Sequence, residues 1–255
     1  MVLGFLEIPE RSRKPRTQGI TMVLDKGLGY NAAQDLMEAK EWIDVIKLGW
    51  GTPLLSSETF LKKKIALYRE NEIEVSNGGT LLEIVYAKGK IDKFFEKAKE
   101  LGLTSIEVSN GKLNFSIEEK AKLIEKARSN GFKVYSEVGK KNPEEDEELS
   151  LERRVEEARS DLKAGASKVI LEARESGRTG IYNELGNIKE DLVRTLVKKI
   201  GLNNIIFEAP QKKQQVWLII NFGREVNLGN INPADVISLE TLRRGLRGDT
   251  FGKIF

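Results

Sequence analysis

Short runs of β-branched and other apolar residues alternate along this chain with longer stretches of helical periodicity. Such alternation is typical of repeated β/α units, which build a parallel sheet covered by helices. Eight runs predict strands, at residues 20–24, 44–48, 73–76, 105–109, 133–138, 168–172, 204–207 and 225–228. Eight units in 255 residues fit a closed barrel better than an open doubly wound sheet. We therefore predict an α/β protein with one (β/α)8 TIM-type barrel domain, residues 1–255, in which residues 1–16 form an N-terminal extension.

The segments between the predicted strands carry helix signals of their own. Ser116 and Glu119 have the spacing of a capping box, which opens a helix. Gly102, Gly131 and Gly165 lie where helices should end before the next strand. The clearest helical patterns cover residues 90–101, 117–130, 151–164 and 190–200. The hexapeptide Ile-Glu-Val-Ser-Asn-Gly also occurs twice, at 73–78 and 106–111, a separation that matches a single β/α unit.

The chain contains neither cysteine nor histidine. The lack of cysteine excludes disulfides, thiolate nucleophiles and iron–sulfur clusters, and the lack of histidine excludes Ser-His-Asp triads. Acid–base chemistry must therefore use Asp, Glu, Lys or Tyr. A bound metal must have oxygen ligands, and Mg²⁺ is the first candidate.

Charge and hydropathy predict a cytoplasmic protein that binds neither nucleic acid nor membranes. The net charge of +3 is too small to indicate nucleic acid, and no apolar run approaches the ~18 residues of a membrane span. The basic stretch Arg11–Arg16 follows a short apolar start, which is the reverse of a signal peptide. Residues 27–32 match a dinucleotide fingerprint, but the second predicted strand ends near Lys47 and not in the expected acid.

Glutamates recur at the predicted carboxyl ends of four consecutive strands. Glu107 lies on the opposite face of its strand from Ile106 and Val108. The next three strands end at or near Glu137, Glu172 and Glu208. Because active sites of parallel barrels lie at this end, we predict that the four acids share a site. Bases or a divalent cation must then offset their mutual repulsion.

Two further strand residues are candidates for the same site. Asp25 continues the parity of Thr21 and Val23 on the first strand, and Lys47 ends the second. If these side chains point into the barrel, Asp25 adds a carboxylate and Lys47 adds a cation. The alternative is that the acids only form salt bridges across the barrel mouth, with Lys47 and with cations of the following loops.

Loops after the strands carry candidate anion ligands and one candidate proton donor. Gly78-Gly79-Thr80 precedes a helical pattern, so it either presents N–H groups to a phosphate or forms a simple tight turn. Arg174 lies beside two acids and suits either an anion or an internal ion pair. Extended strand parity favours an inward Lys141, where neighbouring cations would lower its pKa and suit a general acid; a surface lysine is the alternative.

Several segments occur in a fixed order from about Arg16 to the C-terminus. They are Leu24-Asp-Lys-Gly27, Lys47-Leu-Gly-Trp-Gly-Thr52, Gly78-Gly-Thr80, Glu137-Val-Gly-Lys-Lys141, Glu172-Ala-Arg-Glu-Ser-Gly177, Phe207-Glu-Ala-Pro-Gln-Lys212, Val226-Asn-Leu-Gly-Asn230 and Leu239-Glu-Thr-Leu-Arg-Arg-Gly-Leu-Arg-Gly-Asp249. Most are weak singly, but the ordered set is specific and resembles the phosphosulfolactate synthase family. The chain departs from the family pattern at Ser76-Asn77 and at Gly229, where Ala is expected.

That resemblance implies a carbon–sulfur lyase that adds sulfite to phosphoenolpyruvate with Mg²⁺, giving (2R)-phosphosulfolactate. This reaction opens coenzyme M biosynthesis in methanogens, and some bacteria make sulfolactate for other ends. The resemblance implies Lys141 as the general acid and a possible homo-oligomer. The Mg²⁺ ligands would come from Glu107, Glu137, Glu172, Asp25 and Glu208. The implied substrate contacts are Lys47, Gly78, Gly79, Thr80, Arg174, Lys212 and Asn230.

Two other functions fit the same sequence. One is a lyase or aldolase acting on a phosphorylated enolate on the same barrel, with Lys47 as a Schiff-base lysine. The other is a non-catalytic binding protein of the same fold that contacts RNA through its N-terminal basic stretch and through Arg243-Arg244-Gly-Leu-Arg247. Those arginines also suit a C-terminal helix that closes the barrel or forms a subunit contact.

Overall fold

The computed structural model describes residues 3 and 5–254, and its centre is a closed barrel of eight parallel strands. The strands are β1 (Thr21–Asp25), β2 (Val45–Leu48), β3 (Glu74–Asn77), β4 (Ser105–Val108), β5 (Lys133–Val138), β6 (Lys168–Leu171), β7 (Ile205–Glu208) and β8 (Leu228–Ile231). Each strand pairs with the next, and β8 pairs with β1 to close the barrel. The predicted (β/α)8 TIM-type fold is confirmed.

Every strand is followed by at least one α-helix that packs on the outside of the barrel. The helices are α1 (Tyr30–Leu36), α2 (Glu58–Glu70), α3 (Gly79–Ala87), α4 (Ile91–Leu101), α5 (Ile117–Ser129), α6 (Pro143–Glu148), α7 (Leu151–Ala164), α8 (Glu190–Ile200), α9 (Lys212–Phe222) and α10 (Val236–Arg243). The four predicted helical patterns are α4, α5, α7 and α8. Within residues 3 and 5–254, every helix is too short or too polar to cross a lipid bilayer.

The first seven strands lie within one residue of their predicted bounds, whereas the eighth was predicted three residues too early. The first three residues of the predicted segment, 225–227, form no strand, and two of their side chains bind other parts of the chain. Glu225 accepts a hydrogen bond from Arg11, and Asn227 Oδ1 accepts one from the backbone of Ile20. Pairing therefore starts at Leu228 and includes Gly229, a residue that strand propensity does not favour.

The repeated hexapeptide does not occupy equivalent positions in its two strands. Ser76 of β3 pairs with Ser105 of β4, so the two copies are out of register. Glu74 lies at the amino end of β3 and binds Lys133, whereas Glu107 lies at the carboxyl end of β4. The repeat therefore reflects the spacing of β/α units but not a shared role for its glutamates.

Side chains alternate between the inside of the barrel and its helical coat, as strand geometry requires. The inside is filled by one apolar cluster: Ile20, Met22, Val45, Tyr135, Ile170 and Ile206. Residues of the opposite parity, such as Val23 and Ile46, pack against the helices. Polar side chains at the carboxyl ends of the strands stand directly above the inner cluster.

Local signals set where the helices begin and end. Ser116 and Glu119 form the predicted capping box, in which each side chain accepts a hydrogen bond from the other's backbone N–H. Gly102 and Gly165 end α4 and α7 in the left-handed conformation, with φ of 93° and 103°, which glycine adopts without strain. These boundaries fix the lengths of the helices and thereby the positions of the strand ends.

The amino end of the barrel is closed by buried ion pairs. Arg11 Nε lies 2.9 Å from Glu225 Oε1, and Arg11 NH1 lies 2.6 Å from Glu240 Oε2. Arg16 NH1 lies 3.1 Å from Asp44 Oδ1. Both arginines come from the N-terminal basic stretch, which therefore forms part of the barrel's closure.

Arg243 at the end of α10 completes this closure. It is fully buried, and its guanidinium donates hydrogen bonds to the carbonyl groups of Val226 and Ile20. Of the predicted N-terminal extension, residues 1, 2 and 4 lie outside the described residues. Because Arg11, Arg16 and Arg243 are buried, they offer no surface to an RNA backbone.

Candidate active site

A cavity of about 610 Å³ opens at the carboxyl end of the barrel. Charged side chains from five strands line its floor: Lys47 of β2, Glu107 of β4, Glu137 of β5 and, from the residue that ends or follows each strand, Glu172 of β6 and Glu208 of β7. Each of the five is at most 5% exposed. The structure thus brings together the four glutamates that the sequence placed at the strand ends.

Lys47 lies between two of these glutamates. Its ammonium nitrogen is 3.1 Å from Glu107 Oε2 and 3.0 Å from Glu208 Oε1. The second oxygen of each acid accepts a backbone hydrogen bond, Glu107 Oε1 from Gly79 N at 2.8 Å and Glu208 Oε2 from Ala173 N at 2.9 Å. The side of the floor formed by β2, β4 and β7 is therefore held rigidly.

Lys141 lies between the other two glutamates. Its Nζ is 2.8 Å from Glu137 Oε1 and 3.3 Å from Glu172 Oε2, and its side chain is 17% exposed. Lys141 therefore points into the cavity, as extended parity indicated. The expectation that neighbouring cations lower its pKa was wrong, because its neighbours are carboxylates.

The backbone beneath these acids is held by buried polar side chains. Asn77 pairs with the backbone of Glu107, accepting from its N–H at 3.0 Å and donating to its carbonyl oxygen at 3.2 Å. Lys120 of α5 donates to the carbonyl oxygen of Glu137 at 2.7 Å. These contacts limit the movement of the strand ends and preorganise the carboxylates.

Three of the glutamates form a group that fits a divalent cation. One carboxylate oxygen from each of Glu137, Glu172 and Glu208 lies within 4.8 Å of the other two. Within the part of the chain that the structure describes, Glu172 Oε2 is buried and, apart from its ion pair with Lys141 at 3.3 Å, accepts no hydrogen bond. Clustered carboxylate oxygens with spare lone pairs are the donor set that Mg²⁺ prefers.

The pKa values of the acids diverge because their surroundings differ. Burial raises the pKa of Glu107 to about 7, against the effect of Lys47. Burial also raises the pKa of Glu172 well above its usual value, and the charges of Glu137 and Glu208 raise it further. Glu137 behaves in the opposite way: burial opposes its ionisation, but Lys141 and Lys47 outweigh that effect and lower its pKa to about 2.

Both lysines stay charged in this environment. Burial disfavours the ammonium form of Lys141, but the carboxylates of Glu137 and Glu172 more than offset that cost, so its pKa lies well above the usual value. Lys47 behaves alike between Glu107 and Glu208, and its pKa is raised. Lys141 therefore carries the proton that a general acid needs, while Lys47 is a poor amine nucleophile.

Asp25 lies outside the cavity, so its assignment to the metal set was wrong. Its Oδ2 accepts a hydrogen bond from Tyr68 at 2.9 Å and lies 2.8 Å from Lys64 Nζ, both on α2. Thr21 and Val23, whose parity Asp25 continues, belong to the face that packs against the helices. Asp25 does share the parity of Val23, but the residues of β1 that face the inside of the barrel are Met22 and Leu24.

Gly78, Gly79 and Thr80 line the cavity at the start of α3. A Cβ on Gly79 would lie 2.5 Å from Ser109 Oγ, and one on Gly78 would lie 2.7 Å from the backbone nitrogen of Trp50. The glycines therefore allow close packing of neighbouring strand ends. Because Gly79 N already donates to Glu107, this N–H is not available to an anion.

Three cavity residues that are not glycine have left-handed backbones: Trp50, Arg174 and Asn230, with φ between 51° and 56°. Such strain collects at functional sites. Arg174 N donates to Glu172 Oε1 at 2.6 Å, and its guanidinium donates to the carbonyl oxygen of Lys141. Asn230 is 7% exposed, and its Oδ1 accepts no hydrogen bond from any described residue.

The rim of the cavity differs from the sequence prediction. Lys212 does not line it; this lysine is exposed and lies 3.1 Å from Asp249 near the C-terminus. Lys112 and Ser176 line the rim instead, together with Trp50. Strand parity could not find these residues because each lies in a loop whose path the sequence pattern does not define.

Comparison with known proteins assigns this barrel to a family. A family model described as (2R)-phospho-3-sulfolactate synthase matches residues 9–249. A phosphosulfolactate synthase of Methanothermobacter thermautotrophicus is 51% identical over 248 residues, which cover 96% of each chain. The chain belongs to the phosphosulfolactate synthase family. It is therefore an enzyme of the carbon–sulfur lyase type.

A second relative supports the family, and a solved structure supports the barrel fold. A phosphosulfolactate synthase of Methanocaldococcus jannaschii is 46% identical over 239 residues, covering 93% of this chain and 95% of the relative. A crystal structure of phosphonopyruvate hydrolase superposes with a TM-score of 0.57 at 14% identity, covering 90% of this chain and 81% of that one. The latter similarity shows the barrel fold alone.

Proposed function

We propose that this protein adds sulfite to phosphoenolpyruvate in a Mg²⁺-dependent reaction that gives (2R)-phosphosulfolactate. The observation that carries the proposal is the buried group of Glu137, Glu172 and Glu208 beside the charged Lys141. That arrangement offers cation ligands and a proton donor on one cavity floor. Its chemistry suits the addition of an anion to an enol phosphate, and it requires neither thiol nor imidazole.

The three glutamates would hold Mg²⁺ through their clustered oxygens. Glu107 is not part of this group and forms an ion pair with Lys47. When bound, Mg²⁺ supplies positive charge for the carboxylate of the substrate. Burial and the charges of Glu137 and Glu208 suppress the ionisation of Glu172. Mg²⁺ would compete with a proton for this carboxylate, so we expect metal affinity to rise with pH.

Lys141 acts in the protonation step. The sulfur lone pair of sulfite forms a C–S bond at the methylene carbon, and the electron pair of the double bond moves toward the carboxylate-bearing carbon. That carbon then takes a proton from the Lys141 ammonium, which regains one from solvent. Because Glu137 and Glu172 fix the position of Lys141 Nζ, the proton is delivered to one face of the substrate and one product enantiomer results.

Anionic substrates need further polar partners, and the rim supplies them. Arg174 and Lys112 add positive charge above the acidic floor. Asn230 lines the cavity with a side-chain amide, whose NH₂ group can donate to an anion, and Thr80 adds a hydroxyl group. Lys47 offsets part of the negative charge of Glu107 and Glu208, which lowers the repulsion that an anion meets there.

The alternative aldolase or lyase with a lysine Schiff base is less well supported. Such a lysine must attack as a free amine in a site that lowers its pKa. Lys47 lies between two carboxylates that raise its pKa. Borohydride with a carbonyl substrate would trap an imine only if this alternative were correct.

The direct test is an assay of the purified protein with phosphoenolpyruvate, sulfite and Mg²⁺, scored for phosphosulfolactate. We expect turnover that EDTA abolishes and that added Mg²⁺ restores. Lys141→Ala should lower kcat by about 10²- to 10⁴-fold, the usual contribution of a positioned acid. Full activity in that variant would remove Lys141 from the protonation step, and no turnover by the wild-type enzyme would refute the proposed function.

A further inference from the structure

Glu83 of α3 is a buried carboxylate, 3% exposed, that does not line the cavity. It binds the β4–α5 loop, residues 109–116. Its Oε1 accepts hydrogen bonds from Ser109 Oγ and, at 3.1 Å, from Gly111 N. Its Oε2 accepts from Lys112 N at 2.8 Å and from Leu113 N at 2.7 Å. One side chain thus satisfies four donors of a single loop.

The negative charge of Glu83 is what this loop requires. Three consecutive backbone N–H groups converge on one point and form an anion-binding nest, which the carboxylate fills. Hydrogen bonds to an ionised acceptor are stronger than those between neutral groups. A neutral amide of the same size would place its NH₂ group against at least one of these N–H donors in either orientation.

The opposite side of the same loop is bound to the segment that carries Lys141. Lys140 Nζ donates to the carbonyl oxygens of Asn110 at 2.8 Å and Leu113 at 2.9 Å. The backbone nitrogen of Lys141 donates to the carbonyl oxygen of Gly111 at 3.1 Å. The loop therefore connects Glu83 to the backbone of Lys141 through an uninterrupted set of hydrogen bonds.

Gly111 is also the surface on which the Lys141 side chain lies. A Cβ at this position would be 2.8 Å from both Cγ and Nζ of Lys141. The backbone of Gly111 is not left-handed, so the position needs glycine for space and not for conformation. The placement of the loop within tenths of an ångström therefore determines where Lys141 Nζ can lie.

We propose that Glu83 is a positioning residue, which fixes Lys141 over the cavity floor by holding the β4–α5 loop. The proposal rests on the role given to Lys141 under the proposed function. Glu83 is separated from the substrate by the loop and touches no reacting atom. Its contribution is geometric, and a misplacement of about 1 Å at a reacting group can cost 100-fold in rate.

The test compares Glu83→Gln with Glu125→Gln, a matched substitution at an exposed position of α5. We expect Glu83→Gln to lower kcat by about 10- to 100-fold while KM for phosphoenolpyruvate changes by less than about threefold, because substrate binding does not use Lys141 alone. The control should match the wild type in both constants. A kcat within about twofold of wild type in a folded Glu83→Gln protein would overturn the proposal.

A second readout does not depend on turnover. Lys141 is held between two glutamates at 17% exposure, so an amine-acylating reagent should label it slowly in the wild type. In Glu83→Gln, mass spectrometry should show labelling of Lys141 at least about tenfold faster, since a freed lysine loses its carboxylate partners. Unchanged labelling would contradict the proposal even if the wild-type enzyme proved inactive toward sulfite, an outcome that would refute the proposed function alone.

If Glu83→Gln fails to fold, Gly111→Ala replaces it in the same measurements. One methyl group at Gly111 pushes directly on Lys141 and leaves the Glu83 hydrogen bonds in place. We expect the same fall in kcat with little change in KM. Wild-type kcat in Gly111→Ala would show that the position of Lys141 does not depend on this loop.

Discussion

Both ends of this barrel contain buried charged residues, but these residues are paired at the amino end and crowded with like charges at the carboxyl end. At the amino end, three buried arginines face carboxylates and carbonyl groups that satisfy them. At the carboxyl end, four buried glutamates face two lysines around a cavity of about 610 Å³. The amino end is electrically balanced and filled, whereas the carboxyl end keeps four acids against two lysines beside open space.

From that difference we infer that the charges at the amino end serve stability and that those at the carboxyl end serve function. Completed ion pairs at the amino end join the chain termini to the barrel, and removal of one partner leaves a buried group without compensation. The excess acids at the carboxyl end repel one another and cost stability in the absence of a ligand. The proposed function accounts for that cost, because a cation and an anionic substrate would bind at this end.

The largest effect that separates the two ends is expected from Glu172→Gln. Because burial and the neighbouring acids raise the pKa of Glu172, the site disfavours its charge, and a neutral glutamine should cost the fold little stability. The variant lacks one of the proposed cation ligands, and we expect Mg²⁺ affinity and activity to fall by at least about 100-fold. Calorimetric Mg²⁺ titration and thermal unfolding measure the two quantities, and a loss of stability without a loss of affinity would contradict the comparison.

Arg243→Met should give the reverse result. The substitution removes a fully buried guanidinium and takes its hydrogen bonds from the carbonyl groups of Arg224 and Val226. We expect the free energy of unfolding to fall by about 3 kcal/mol, with unchanged activity per folded molecule. Arg247→Met, at a partly exposed position, is the matched control and should change stability little. A large fall in kcat in folded Arg243→Met would break the division between the ends.

Stability without Mg²⁺ should decrease as the pH rises from about 5 to 7. Burial raises the pKa of Glu107 to about 7 in the folded state, above its value in the unfolded chain. The folded protein therefore binds more protons than the unfolded one in this window, and its stability falls by about 2 kcal/mol. Urea unfolding with EDTA at the two pH values measures the fall. If stability rose over the same pH window, the pKa of Glu107 would not be raised in the folded protein.

The smallest effects are expected at the rim. Lys112→Ala removes a cation that lines the cavity, and we expect KM for phosphoenolpyruvate to rise by about tenfold. Lys212→Ala changes a lysine that pairs with Asp249 outside the cavity, and kcat/KM should stay within about twofold of wild type. Steady-state kinetics of both variants measure these constants. If only Lys212→Ala raised KM, then Lys212, and not Lys112, would be the residue that binds the substrate.

The sequence predicted the fold and the floor of the site well because both depend on periodicity. Alternation along a strand places Glu107 and Lys47 on the inward face, and the order of strands brings them together. Periodicity does not show which of two faces is inward when both are apolar, as on β1. For that reason Asp25 was assigned to the wrong face of its strand.

Loops account for the rest of what the sequence did not show. Lys212 follows a strand closely in sequence, but α9 begins there and directs it toward Asp249. In the sequence, Glu83 has no feature that distinguishes it from other helix residues. Its four hydrogen bonds depend on the path of a loop some thirty residues later. Such contacts follow from tertiary structure and have no short-range pattern in the chain.

The central claim is that the carboxylates of β5, β6 and β7 hold a divalent cation that faces the substrate. Its most direct test is anomalous diffraction from crystals soaked with Mn²⁺ and phosphoenolpyruvate. We expect one strong peak about 2.0–2.3 Å from carboxylate oxygens of Glu137, Glu172 and Glu208, with the substrate beside it. A bound substrate with no peak at these glutamates, or with the metal held elsewhere, would contradict the account.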